Sequence, residues 1–346
     1  MDVLCVGNAT IDVFVLLHNL QKFSYDKFSN SISFPLGEKI PLDEYQLCLG
    51  GNACNVSVGL SRLGAKTSLA AEVGSDEFSE KIINDLSKEG VDQTFIDKET
   101  RKTPHFNIVL SYEGDRTILD EKNPNTDGFN VGQMNPRVIY LSSINGDWRK
   151  IYDKVFASNP NSLLAFNPGA RQIYEKLNEV LNLLPKIEIL FVNLSEAQNL
   201  TKDFSPDIKT VMGKLKNLGA KVSVVTDGIN GSYAVDKSGE VYKLGVVSEE
   251  KPRERTGAGD SYAAGFMYGI LTGRSISDAM KYGAINAESV IREIGAQKGL
   301  LTKDAGKYVG NYVKKADPII IKDLQDEGKI FYISRITHSY PLCWRC

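Results

Sequence analysis

Short continuous apolar runs alternate along this chain with segments whose apolar residues recur every three to four positions. The runs VLCVG (3–7), TSLAAEVG (67–74), RVIYLSS (137–143), SLLAFNP (162–168), IEILFVN (187–193) and KVSVVTD (221–227) are short, apolar and rich in β-branched residues, and they predict buried strands. Between them, NACNVSVGLSRLG (52–64) places Val56, Leu60 and Leu63 on one helical face and stops at Gly64. DEFSEKIINDLSKEG (76–90) reads as a second helix ending at Gly90, and further helices are expected near 147–158, 171–183 and 206–218. Buried strands alternating with helices predict an α/β fold: a mostly parallel central sheet flanked by helices on both faces.

Two stretches break this rhythm. Residues 13–49 are polar, aromatic and turn-rich, and residues 93–119 hold short alternating strands around an E-G-D turn. Both read as hairpin-type insertions that pair into a small antiparallel β lid, since a loop this long within one domain is usually functional. The core is then expected to comprise 1–12, 50–92 and 120–316. The pattern fades after about residue 316, leaving 317–346 as an extension that adds an edge strand or forms a tail.

Composition narrows the function classes. The chain has 346 residues, 42% hydrophobic and 24% charged, with a formal net charge of −2, so nothing draws it to nucleic acid or an anionic membrane. No apolar run approaches the roughly 18 residues of a membrane span. The segment MDVLCVGNATIDV has no basic leader and reads directly as a strand, so the cytoplasm is expected. Five cysteines argue against a disulfide scaffold; Cys5, Cys48 and Cys54 are expected as buried thiols, and the C-x-x-C of Cys343 and Cys346 lacks the second pair a zinc site needs.

Candidate chemistry gathers in five segments. In RTGAGDSYAAGF (255–266), Gly257 and Gly259 would each cost about 1 kcal/mol against alanine inside a helix. They make sense where backbone N–H groups at a helix start cradle a phosphate, with Asp260 at its edge to take a proton. An ordinary glycine-rich turn explains them as well. In LGGNACNVSVG (49–59), the amides of Asn52 and Asn55 suit polyol hydroxyls, with Asn52 as a plain helix cap the alternative. In GNATIDV (7–13), Asn8 and Asp12 follow the first strand, either gripping hydroxyls or making a turn. In NLSE, Asn193 and Glu196 suit Mg²⁺ held through its waters, or an N-cap. In TDGINGSYAV (226–235), Thr226 and Gly228 border a bend that fits a nucleotide or a β-turn. Four of the five lie at the carboxyl ends of expected parallel strands. No G-x-x-x-x-G-K-[ST], G-x-S-x-G or histidine cluster is present, which excludes P-loop, hydrolase-elbow and zinc chemistries.

GGNACNVSVGLSRLG and TGAGDSYAAGF resemble the two signatures of the ribokinase-like (PfkB) carbohydrate kinases. NLSE is similar to that family's N-x-x-E and TDGINGSYAV to its nucleotide bend, in order, over about residues 2–316. The resemblance implies MgATP-dependent phosphorylation of a small sugar hydroxyl (ribose, fructose or a related carbohydrate). It implies Asp260 as base, Gly257, Ala258 and Gly259 as anion hole, and Asp12, Gly51, Asn52 and Asn55, with Asn8, on the substrate. Asn193 and Glu196 would organise Mg²⁺, Thr226 and Gly228 would border the nucleotide, and the lid allows a homodimer. A nucleoside acceptor, or a non-catalytic sugar- or nucleotide-binding regulator, remains the alternative. The family often reads D-T-x-G-A-G-D; Glu254 stands at the leading position here, which puts the monovalent cation of some relatives in doubt.

Overall fold

Period-two alternation sends neighbouring side chains of a strand to opposite faces, so a strand apolar at every position is covered on both. β1 (Val3–Val6) is such a strand: Val3 and Cys5 enter one apolar layer, Leu4 and Val6 the other. The computed structural model describes residues 1–18, 23–98, 106–120, 131–144, 147–248 and 250–304, with the backbone of 319–321.

In chain order, β1 is followed by β2 (Thr10–Leu16), β3 (Ser24–Asp26), β4 (Ser31–Ser33), β5 (Glu44–Gly50) and α1 (Asn52–Leu63). Next come β6 (Thr67–Val73), α2 (Glu77–Lys88), β7 (Asp92–Lys98), β8 (Phe106–Tyr112) and β9 (Asp115–Asp120). The chain continues with β10 (Val138–Ser142), α3 (Trp148–Ser158), β11 (Leu163–Asn167), α4 (Ala170–Glu175), α5 (Leu177–Leu183) and β12 (Ile189–Asn193). Then follow α6 (Leu194–Thr201), α7 (Ile208–Asn217), β13 (Val222–Thr226), β14 (Ser232–Asp236), β15 (Val241–Leu244), α8 (Ala258–Leu271), α9 (Ile276–Val290) and β16 (Ile319–Ile321).

Among the described residues, one ten-stranded sheet has the order β16-β15-β14-β13-β12-β11-β10-β1-β6-β7. The pairs from β7 to β13 are parallel and the β14–β16 edge is antiparallel. One apolar layer joins α1, α2, α8 and α9 to the sheet through Val56, Leu60, Ile82, Phe266 and Met280. The opposite layer takes Ile151, Val155, Leu183, Val211 and Leu215 from α3, α5 and α7. The expected doubly covered, mostly parallel sheet is therefore present. Gly64 caps α1 with φ 103°, where the sequence predicts its stop, and the Asp76 and Asp207 side chains accept from first-turn N–H groups of α2 and α7.

A second sheet has the order β5-β2-β8-β9, with antiparallel outer pairs and a parallel β2–β8 seam. Its outward face carries Val13, Val15, Leu17, Ile108 and Leu110, which Phe23 and Ile32 of the β3–β4 segment cover. Residues 92–98, expected in the lid from residue 93, instead pair with β6 at the edge of the large sheet. Phe95 and Ile96 account for this, since each packs against one of the two large-sheet layers. The chain between 99 and 105 lies outside the described residues, as do Cys343 and Cys346; of the C-terminal extension only the backbone of β16 is described, and it pairs with β15. No helix among the described residues is long and apolar enough to cross a membrane. Cys5 and Cys54 are buried, as expected, but Cys48 is only half-buried, because β5 lies in the small sheet.

Candidate active site

The carboxyl ends of the parallel strands place several candidate residues along one edge. Asn193 ends β12 directly beside Thr226, which ends β13. Beyond β13 the chain bends through Asp227, whose N–H donates to the carbonyl of Gly231 (2.8 Å). Gly228 sits in that bend at φ 50°, and an added Cβ there would meet nothing within 4 Å. The same holds at Gly245 and at Gly259, in the first turn of α8, so the backbone is bare towards open space at three points.

The segment before α8 turns on Gly257, which has φ 78° and is the helix N-cap. A Cβ at this position would stand 2.4 Å from that of Ala296, so glycine is needed for both conformation and space. The Ala258 N–H donates to the Arg255 carbonyl (3.2 Å) and the Ser261 N–H to the Gly257 carbonyl (2.8 Å). Among the described residues the N–H groups of Gly257, Gly259 and Asp260 have no acceptor. The bare donors thus differ from the expected Gly257, Ala258 and Gly259 set: Ala258 spends its N–H on the turn, and Asp260 offers one in its place.

Asp260 is buried, 8% exposed, in the first turn of α8. Its Oδ2 accepts from Asn55 Nδ2 at 2.8 Å, while Oδ1 has no donor among the described residues. Burial pushes the carboxyl up to about 7, against the lowering pull of the Asn55 hydrogen bond and of the Arg116 charge. Asp12 and Glu196 push in the same direction as burial, so three carboxylates share one electrostatic neighbourhood. Such a shift places a carboxylate where a proton acceptor works best near neutral pH.

The GGN segment follows β5, a strand of the small sheet, and not a parallel strand of the large one as expected. Gly51, at φ 92°, is the N-cap of α1; a Cβ there would come 2.4 Å from the Asn8 carbonyl oxygen. Asn52 is therefore the first helical residue and not the cap, and its Nδ2 reaches Ser143 Oγ at 3.4 Å. Asn8 enters through its carbonyl, which accepts the Cys54 N–H (3.3 Å). Asn55, expected on substrate, is 3% exposed and spends its amide elsewhere: Nδ2 on Asp260, Oδ1 on Gln297 Nε2 at 2.9 Å. Asp12 lies within β2, with Oδ1 accepting from Thr10 Oγ1 (2.8 Å) and Asn107 Nδ2 (2.9 Å). Burial raises its pKa above the usual carboxylate range, and those two donors oppose the rise.

Asn193 and Glu196 close a reciprocal cap on α6: the Glu196 N–H donates to Asn193 Oδ1 and the Asn193 N–H to Glu196 Oε2, both at 2.9 Å. The capping alternative is thus realised, yet it leaves Glu196 Oε1 uncommitted. Burial pushes the Glu196 carboxyl up to about 7. Among the described residues no group of three or more His, Cys, Asp or Glu side chains could hold a metal directly. A half-buried carboxylate with one oxygen free of any partner among the described residues fits a hydrated Mg²⁺, which keeps several waters. Glu254 is fully buried and turned inward on its own loop, with Thr256 N–H and Oγ1 donating to its two oxygens at 2.7 and 2.8 Å.

Three residues of this neighbourhood escape a reading of the sequence. Asn107 holds Asp12 and Gln297 holds Asn55; each is one polar residue in an unremarkable strand or loop, without a spacing to mark it. Asp120 pairs with Arg171 of α4 at 3.5 Å, joining the small sheet to a helix packed on the large one. The Arg–Asp link carries no local signal because its members lie 51 positions apart.

A family model described as pfkB family carbohydrate kinase matches residues 3–303. The chain is 26% identical over 320 residues to a 5-dehydro-2-deoxygluconokinase of Geobacillus thermodenitrificans, covering 85% of this chain and 92% of the relative. In structure it is similar to a nucleoside kinase of Methanocaldococcus jannaschii (TM-score 0.71, 19% identity, 91% and 98% of the two chains). It is also similar to an Arabidopsis thaliana ribokinase complexed with ribose and ATP (TM-score 0.69, 19% identity, 90% and 98%). The protein belongs to the PfkB family of carbohydrate kinases and is a phosphotransferase.

Proposed function

We propose that this kinase transfers the γ-phosphoryl group of ATP to a hydroxyl of a small sugar acid, with Asp260 as the base. The observation that carries the reading is the buried carboxylate of Asp260, held on one oxygen by Asn55 and open on the other, beside bare N–H groups at the start of α8. The acceptor hydroxyl loses its proton to Asp260 Oδ1 as its oxygen bonds to the γ-phosphorus and the bond from that phosphorus to the bridging oxygen of ADP breaks. The N–H groups of Gly257, Gly259 and Asp260 face the charge that spreads over the transferring group, and the α8 dipole adds to them. Thr226, Gly228 and Gly245 border the adenosine side. Asn193 and Glu196 would hold Mg²⁺ through water, and the ion would supply positive charge to offset that of the phosphates.

Asp12, fixed by Thr10 and Asn107, grips sugar hydroxyls, and Gly51 and Asn52 line the same side. The small sheet is the lid that excludes water from the reaction. Arg116 selects for an acid. In the sheet register Asp12 stands opposite Asn107 and Asn107 opposite Asp120. Ile118 and Arg116 precede Asp120 at two-residue steps and so share the face of Asp12. The Arg116 charge is felt at Asp260, as a cation on the cleft side is expected to be. The sugar-acid substrate named for the Geobacillus relative agrees with a cation there.

The test is a turnover panel with MgATP: 5-dehydro-2-deoxygluconate, other keto-deoxy sugar acids, ribose, fructose and adenosine. Phosphorylation of an acid at least about tenfold more efficiently than of any neutral sugar or nucleoside supports the reading. Preference for adenosine overturns the acceptor assignment, and ligand binding without turnover overturns the catalytic one.

A further inference from the structure

The orientation of one buried amide decides whether Asp260 meets a hydrogen-bond donor or an acceptor. The Asn55 side chain has two chemically opposite ends in nearly the same shape, so rotating it by half a turn exchanges them. Its position 3% exposed leaves no bulk water to satisfy the wrong end. We infer that Gln297 is the positioning residue that sets this orientation, by donating Nε2–H to Asn55 Oδ1 and so leaving Asn55 Nδ2–H for Asp260.

The geometry supports a relay and not a chance contact. Gln297 Nε2 to Asn55 Oδ1 is 2.9 Å, and Asn55 Nδ2 to Asp260 Oδ2 is 2.8 Å, both between buried residues more than 200 positions apart in the chain. Gln297 is itself 9% exposed and is anchored through its backbone: its carbonyl accepts from Arg62 Nη1 at 2.6 Å and from the Leu300 N–H at 3.1 Å. Arg62 is in turn gripped at two points by Glu89, at 2.7 and 2.6 Å. The amide of Gln297 also lies 3.5 Å from Cys54 Sγ, a thiol that burial keeps protonated. An ionised Asp260 requires a donor, and Asn55 can present one only if its carbonyl oxygen finds a donor behind it. Among the described residues Gln297 is the side chain that supplies it.

The inference rests on Asp260 acting as base. The charged or titratable groups facing Asp260 are Arg116 from β9, Asp12 from β2, Glu196 from α6, Tyr140 from β10 and Cys54 from α1. None of these touches Gln297 except the neutral Cys54 thiol, so a change at residue 297 reaches Asp260 through Asn55.

The test compares Gln297→Met, of similar length with no amide, and Gln297→Glu, which offers an acceptor once ionised, in the full chain with MgATP and the preferred acceptor. For Gln297→Met the expected result is a drop in kcat of about tenfold with KM within about twofold, and an acidic limb of the pH profile displaced upward. Gln297→Glu is expected to lose progressively more activity as the introduced carboxyl ionises and competes for the Asn55 amide. In an Asn55→Ala background, Gln297→Met is expected to change nothing further. A wild-type kcat and pH profile in Gln297→Met overturns the inference, and so do effects of the two substitutions that simply multiply. A folding defect common to both backgrounds, read by thermal melting, assigns Gln297 to packing and also overturns it. Should Asp260→Ala retain turnover, the base assignment fails instead, and the two failures are told apart.

Discussion

Asn55 of α1 and Asp260 of α8 are joined by a 2.8 Å hydrogen bond across 205 positions of the chain. The bond ties the two glycine-rich helix starts into one site: one helix carries the carboxylate, the other the donor that holds it. Arg116 and Asn55 each favour the charged form, and burial opposes both. The balance leaves a carboxyl that titrates near neutrality, and its consequences are measurable.

Burial of Asp260 makes it a stability liability as well as a base. With its carboxyl raised to about 7, the folded chain retains a proton that the unfolded chain releases near an ordinary pKa of about 4. Between those values the folded state binds more protons, so stability falls as pH rises. Asp260→Asn removes that cost and is expected to raise Tm by about 2–6 °C at pH 8, with a smaller gain at pH 4.5. Differential scanning calorimetry at the two pH values checks this; an equal shift at both contradicts it.

Activity follows the opposite course, because the base works only when ionised. With Asp260 raised to about 7, kcat/KM is expected to climb with pH through about 7 and then level. Asn55→Ala removes a bond that stabilises the ionised form, so its acidic limb is expected to move to higher pH. A profile flat from pH 5.5 to 8 contradicts the assignment.

Arg116 is expected to act on acids alone. Arg116→Ala should raise KM for a sugar acid by about 10- to 100-fold while altering KM for a neutral sugar by less than about threefold. Steady-state kinetics on matched acid and neutral acceptors measures the split. An equal loss on both substrates would instead make Arg116 a general part of the lid.

Glu196→Gln separates metal binding from capping, because a glutamine oxygen can still accept the Asn193 N–H. The variant is expected to melt no lower than the wild type, since the cost of burying the charge is relieved, yet need about tenfold more Mg²⁺ for half-maximal rate. An unchanged Mg²⁺ requirement makes Glu196 a cap only.

Glycines 257 and 259 are expected to respond differently to one added methyl. At Gly257 the methyl meets Ala296 at 2.4 Å in a left-handed backbone, and Gly257→Ala should lose about 2 kcal/mol or more of stability. At Gly259 it meets no protein atom within 4 Å, so Gly259→Ala should fold at least as well as the wild type while raising KM for ATP. Melting curves beside ATP titrations check both.

The large sheet was legible because strands buried on both faces, such as Val3–Val6 and Val138–Ser142, carry unbroken apolar runs that no helix of that length explains. The helix starts at Gly51 and Gly257 were legible because glycine there is costly unless the backbone needs it. The placement of 92–98 was not, since Phe95 and Ile96 are the two apolar residues of an otherwise polar stretch, DQTFIDK, and only pairing with β6 decides. Asn55 shows the limit at the site: its spacing marked it as important, but its partner Gln297 lies 242 positions away, and only the fold brings that amide within reach.

The rate of phosphate-ester formation from ATP and a sugar acid, compared between the wild type and Asp260→Ala, tests whether this carboxylate takes the acceptor's proton. The wild type is expected to turn over, and Asp260→Ala to lose about 10²- to 10⁴-fold in kcat while binding both substrates. An Asp260→Ala enzyme within about threefold of the wild-type kcat would mean that the proton leaves by another route.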